Sequence, residues 1–455
     1  MIGIGALVSR IVGIAALALG RSAARGTLAL LAAWAVIAAT AGRRAIAQDA
    51  TPNGMLPPWS DAPLAPWARS LRVKSGEQSI LASPDASGAR RGTAGVAARL
   101  PIFGAKAGAG CRGAWLHVGL EAWLCEDQAE FLAAEPLAAA QRAVAPRLDG
   151  LPFRYYFAGT GGSVAYREAA DVDYGEPAMT LEPGFAVAID HERIVGGLRV
   201  GLTRRGLWVP MRDFGEAHPS DFRGTEVGPT PDGLVPFAWV SEASPALYRA
   251  VGASFAPTGT SLKHLSRVDV LERKSGFLGA FLRIDETRWI RERDVRRPTI
   301  AAPPAVPEIA SGARWLDVEL ATQTLVAYEG TLPVFATLVS TGKGDRPGHP
   351  HETPKGVHRI WVKLVSTTMD NLENEAAASY YRIEDVPYVQ FFAKGVGLHA
   401  AFWHRRFGHR RSHGCVNLSP HDAARLFEFT GPHVAAGWTA ALPSRYDAGA
   451  IVRVR

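Results

Sequence analysis

Ser412-His413-Gly414-Cys415-Val416-Asn417 is the stretch that decides how this chain reads. It places a cysteine between a glycine and a small apolar residue, in the wake of a histidine. A second histidine, His399, lies sixteen positions upstream in the apolar run Val396-Gly397-Leu398-His399-Ala400-Ala401-Phe402. A thiol is a good nucleophile only as the thiolate, and an unperturbed cysteine is mostly protonated at neutral pH. A nearby imidazole can take that proton, and glycine lets backbone N–H groups approach a developing oxyanion. The pattern reads as a cysteine acyl-transfer site. The competing reading, an inert buried cysteine, has to explain why His413 and Gly414 flank it.

The same residues resemble the active-site motif of the L,D-transpeptidases, the YkuD-type catalytic domain: a histidine, a gap, Ser/Thr-His-Gly-Cys, then Asn or Arg after one apolar residue. Thr353-Pro354-Lys355-Gly356 resembles another recurrent element of that family. Ala400 stands where the family usually has a small residue whose carbonyl orients the histidine. The resemblance implies a mainly β fold, a sandwich or barrel with one short helix beside the cysteine. It implies Cys415 as nucleophile and His399 as proton acceptor and donor, with N–H groups around Gly414 and Cys415 as oxyanion donors. His413 would tune the pocket, while Ser412 and Asn417 would hold the loop. The implied substrates are peptidoglycan stem peptides as donor and acceptor, with no cofactor and no metal. Transfer to an amine would make cross-links, whereas water as acceptor would give an L,D-carboxypeptidase.

At 455 residues, the chain exceeds one ordinary core. Its formal charge of +7 is mild and lacks the clustered footprint of a nucleic-acid binder. It suits an anionic polymer such as the cell wall, or simply solubility. Residues 1–47 read as an export signal or an uncleaved anchor. Arg10, Arg21 and Arg25 precede an uncharged run from Gly26 to Gly42, and Ala45-Ile46-Ala47 offers a cleavage site. Both versions deliver the rest to the periplasm or cell envelope. Of the three cysteines, Cys111 and Cys125 bracket a hairpin and are expected to pair in an oxidising compartment, leaving Cys415 free.

After a linker (48–68), three related units are expected at 69–131, 151–222 and 232–297, with a helical connector at 132–150. Each closes on a tryptophan, an aliphatic and a nearby acidic residue: Trp123-Leu124 with Asp127, Trp208-Val209 with Asp213, Trp289-Ile290 with Asp294. Short alternating strands argue for small β-barrels. They loosely resemble bacterial SH3-like domains, which implies wall binding; as spacers, they would simply bury their tryptophans. A Pro/Ala linker (298–312) then leads to the catalytic segment, 313–455. That segment is expected to hold all the chemistry, with strands near Trp315, Thr324, Val334 and Gly356 and a helix over His421–Thr430.

Nine of the thirteen histidines lie beyond Ser311. His349, His351, His358, His404 and His409 could suggest zinc, but no second cysteine accompanies them. Arg405, Arg406, Arg410 and Arg411 would repel a cation. These residues read instead as loop surface facing an anionic substrate. Met369 to Tyr381 reads as a loop over the site or an ordinary connection. A non-enzymatic alternative is a wall-binding protein with a vestigial catalytic domain.

Overall fold

The short alternating strands before residue 300 fold three times into one topology. The computed structural model describes residues 60–137, 145–277, 279–346, 349–371 and 381–455. In each unit the first strand is sandwiched between a middle and a last one. Ser70–Val73 pairs with Arg99–Pro101 and Ala129–Leu132. Arg154–Ala158 pairs with Ala186–Val195 and Phe214–Glu216. Phe237–Val240 pairs with Arg267–Asp269 and Val295–Arg296. Each tryptophan strand runs into a single 3-10 turn, at Glu126–Gln128, Met211–Asp213 and Glu292–Asp294, before the last strand. Trp123, Trp208 and Trp289 are all buried, so all three serve as core. The proposed export segment, 1–47, lies outside the described residues. Among the described residues, no helix is long and apolar enough to cross a membrane.

Cys111 and Cys125 are bridged across the hairpin Trp115–Gly119/Ala122–Cys125. Closing so short a loop stabilises by about 3 kcal/mol in the chain-entropy view. Cys415 is free. The helical connector needs correction at its start: Leu132 ends the closing strand of the first unit, Ala129–Leu132, where Ala129 and Phe131 pack beside Leu71 at a sheet edge. Residues 133–137 are not helical, and 138–144 lie outside the described residues.

The catalytic segment forms two sheets over one core. One runs Leu332–Leu338, Thr324–Glu329, Arg314–Glu319, Ile451–Val454, Gly356–Arg359, with the C-terminal strand inserted parallel to Arg314–Glu319. The other contains Val362–Asp370, Arg382–Ala393, Val396–Ala400 and Val416–Leu418. Between them Leu316, Val318, Leu325, Leu398, Val416 and Leu426 pack in one cluster. The helix Pro420–Phe429 starts where Ser419 Oγ accepts the Asp422 N–H, with Pro420 in the first turn, where a missing N–H costs nothing.

The repeats are not spacers on a string. Arg90–Ala94 of the first unit pairs with Trp438–Ala441, and Thr225–Glu226, after the second, pairs with Leu332–Leu338. Gly92 permits the first contact: a Cβ there would sit 2.5 Å from the Ala440 carbonyl and 2.6 Å from the Trp438 ring. The Pro/Ala segment is likewise docked. The Ala301 N–H donates to the Tyr328 hydroxyl (2.9 Å), Arg453 donates to the Ala302 carbonyl, and Val306 and Ile309 pack beside Trp315. Proline-rich chain loses little entropy when pinned, so two apolar anchors suffice.

Candidate active site

The strands Val396–Ala400 and Val416–Leu418 run parallel, with His399 opposite Asn417. That register brings Cys415, one residue before its strand, alongside Gly397. His399 is only 2 % exposed. Its Nδ1 lies 3.0 Å from the Ala400 carbonyl. A carbonyl can only accept, so Nδ1 carries the proton and Nε2 keeps its lone pair. Burial pushes the His399 pKa down to about 4, so the ring is neutral at physiological pH. The Cys415 thiol is partly accessible; burial pushes its pKa up, opposed by the Gly397 N–H. Burial thus holds both the thiol and the imidazole towards their neutral forms.

The loop carrying the cysteine is stapled from inside. Ser412 Oγ donates to the Cys415 carbonyl and accepts the Gly414 N–H (3.1 Å). Thr353 Oγ1 donates to the Gly414 carbonyl (2.7 Å) and accepts the Gly342 N–H (2.9 Å). Gly414 has φ +132°, a conformation side chains rarely adopt, so the turn requires glycine. One expectation changes here. The Gly414 N–H is consumed by Ser412, which leaves the Cys415 amide as the candidate oxyanion donor.

His413 is exposed at the rim, its ring parallel to Tyr381 at 5.6 Å and edge-on to His351 at 4.6 Å. Burial, His351 and Lys343 together hold its pKa below the usual value. Asn417 is 3 % exposed; its backbone exchanges two hydrogen bonds with Ser340, and its amide Nδ2 donates to His404 Nε2 (3.1 Å). His404 must then be neutral, and burial, Arg411 and His399 push its pKa down to about 3.

The basic loop after His399 is tied to the second and third units. Arg405 donates to the His218 carbonyl, Arg296 of the third unit donates to the Gly408 carbonyl (3.0 Å), and His409 Nε2 donates to the Ser241 carbonyl (2.7 Å). The third unit thus buttresses the loop that delivers Ser412. Arg405, Arg406, Arg410 and Arg411 all remain exposed.

Sequence reasoning missed His404 and Tyr381 as site residues. His399 and His404 bracket the apolar run Ala400–Trp403, a signal that His404 turns inward too. Tyr381 closes the connection after Val362–Asp370: its N–H donates to Asn371 Oδ1 (2.7 Å), and burial and the nearby Cys415 raise its pKa. Residues 372–380, most of the loop anticipated over the site, lie outside the described residues. Among the described residues, the three ligand-type groups that converge are Cys111, Cys125 and Asp127, of which two are the disulfide.

The family described as YkuD, L,D-transpeptidase catalytic domain, matches residues 313–439. Those residues are an L,D-transpeptidase catalytic domain. Solved structures similar to this part include a variant of the Enterococcus faecium L,D-transpeptidase, 25% identical with TM-score 0.24, covering 31% of this chain and 50% of that one. The catalytic domain of an E. faecium L,D-transpeptidase is 24% identical over 32% of this chain and 98% of its own, also at TM-score 0.24. L,D-transpeptidase 3 from Mycobacterium tuberculosis is 19% identical over 40% and 78%, with TM-score 0.24. The chain thus spans about half the length of the E. faecium variant. No curated protein matches. The L,D-transpeptidase domain is mainly β, as are the three units before it.

Proposed function

We propose that the protein is a peptidoglycan L,D-transpeptidase working through an acyl-enzyme on Cys415. The observation that supports this most is the hydrogen bond between His399 Nδ1 and the Ala400 carbonyl, which presents Nε2 as a base. Cys415 Sγ attacks the carbonyl after the third stem residue, a diamino acid, while its proton passes to His399 Nε2. The tetrahedral oxyanion is held by the Cys415 amide. The C–N bond to terminal D-alanine then breaks, and the proton moves to the leaving amine. The side-chain amine of a neighbouring stem attacks the thioester, forming the cross-link and returning the thiol. The exposed Lys343, Arg410 and Arg411 suit the carboxylates of such peptides.

The three units would hold the enzyme on the wall in the manner of SH3-like modules, and residues 1–47 would export or anchor it at the envelope. Purified protein incubated with disaccharide-tetrapeptides should gain the acyl mass on Cys415 and release D-alanine and cross-linked dimers. Tripeptide without dimers would make it a carboxypeptidase instead. No adduct on Cys415 would end the catalytic reading.

A further inference from the structure

The sheet face that carries Cys415 and His399 continues past them. Along Val396–Ala400, Val396, Leu398 and Ala400 turn into the core, so Gly397 and His399 turn to the other face. Val416 packs in the same core, which puts Cys415 and Asn417 on the face of His399. Phe391 is paired with Gly397 and packs in the cluster that His399 reaches through Trp403. Trp361 lies one strand further on. Its N–H donates to the Phe391 carbonyl (2.9 Å), and the two rings stack at 6.0 Å with 22° between their planes. Trp361 is 47 % exposed. A lone exposed aromatic is ordinary, but this one stands in register with the thiol. Cys415, Gly397, Phe391 and Trp361 form a row across three strand spacings, about 14 Å.

We infer that Trp361, backed by Phe391, is a carbohydrate subsite that stacks on the amino sugar bearing the donor stem. This rests on the proposed function, because the span is measured from the acylated cysteine. The carbonyl that Cys415 attacks belongs to the third stem residue. Three residues of extended chain, at up to about 3.5 Å each, bring the start of the stem about 10 Å from the sulfur. The short linker to the sugar then carries the ring to about 14 Å, the place of Trp361 in the row. The chemistry matches as well. A pyranose presents a face of C–H groups with hydroxyls around its rim. An indole buried on one side and wet on the other takes such a body without leaving polar groups dry. The exposed Lys394, in the turn between the Phe391 and Gly397 strands, adds donors for hydroxyl or amide oxygens. A stem seated on this row holds its sugar at one fixed distance from Cys415, so the subsite selects stems still attached to glycan.

The test compares disaccharide-tetrapeptide with the same tetrapeptide free of sugar, using the full chain and reading acylation of Cys415 by mass over a range of donor concentration. The readout is the ratio of the two kcat/KM values. The native ratio should be about tenfold in favour of the sugar-bearing donor, and Trp361→Ala should bring it to within about twofold of unity. The lost preference should fall on KM rather than kcat, since the stack is made equally in the ground and transition states. Trp361→Phe, which keeps a ring, should retain most of the preference, and Trp361→Gln, which keeps bulk without a ring, should lose it. A native ratio near one, or a loss on Trp361→Ala shared equally by both donors, would overturn the inference. The same ratio read as dissociation constants by calorimetry, in the full chain carrying Cys415→Ala, decides the subsite even where no acylation occurs. Acylation by both donors without preference sinks the subsite alone. Preference in binding without acylation of Cys415 sinks the catalytic reading while the sugar contact stands.

Discussion

At the scale of single residues, the proposed chemistry rests on two side chains whose environments push them both towards neutrality. Cys415→Ala should abolish the acyl-enzyme. His399→Ala should leave a thiol that reacts only as far as it ionises unaided, so its rate should climb with pH. Removing both should be hardly worse than removing the cysteine, because a nucleophile and its base act as a unit; single-turnover acylation read by mass checks all three. The pH profile is a sharper test. With His399 near 4, acylation by the native enzyme should be flat through neutrality and fall only as the ring protonates around that value, not at 6.5. Thiolate absorbance in the resting enzyme at pH 7 would contradict this. His399 and His404 also link pH to stability. Both have folded pKa values below the ordinary one, so the stability of burying them neutral is complete above about 6.5. It is lost as pH falls towards 4 for His399 and towards 3 for His404.

Among the elements, the helix Pro420–Phe429 depends on a residue no sequence pattern announced. Lys363, fully buried, donates through Nζ to the carbonyls of Phe427 and Thr430 at the helix C-terminus and sits 4.3 Å over the Phe427 ring. Those carbonyls are the unsatisfied end of the helix, where a cation is favoured. Burial lowers the Lys363 pKa to about 7, against the pull of Glu428 and Asp447. Lys363→Met should destabilise by about 1–3 kcal/mol by orphaning the carbonyls, partly offset by no longer burying a charge. Because the folded pKa lies below the unfolded one, native stability should rise with pH from 7 towards 10, and Lys363→Met should flatten that rise in thermal melts. Such a lysine looks like surface in a strand that otherwise alternates. The Cys415 motif, by contrast, was legible because much of its geometry is local: Ser412 binds both Gly414 and Cys415, and His399 takes its orientation from the next residue. The three tryptophan closures were legible for a related reason, since each packs within its own unit. What joins the units was not, because Gly92 against Trp438, or His409 against Ser241, has no signature within either segment.

For the whole molecule, the consequence is that the catalytic segment should not stand alone, although every motif residue follows the Pro/Ala stretch. Phe222, Val235, Phe237 and Trp239 share one core with Trp315, Tyr328, Leu338, Phe407 and Ile451, and all are 6 % exposed or less. Residues 62–455 accordingly form one compact unit. Burying four such side chains is worth roughly 6–12 kcal/mol as an upper bound, comparable to the entire stability of an ordinary domain. The cut would also free the loop at Arg405–His409, which the third unit holds by the Ser241 carbonyl and Arg296. A chain beginning at residue 307 should therefore be insoluble or melt far below the full protein, and should acylate poorly even with soluble tetrapeptide. Restarting at residue 220, which restores the shared core and the buttress, should recover most of both. Near-UV circular dichroism and a melting curve for the two truncations decide it. If the 307 chain melts within a few degrees of the full protein and acylates at the full rate, the units do no more than position an independent enzyme, and the shared core contributes far less than its burial suggests.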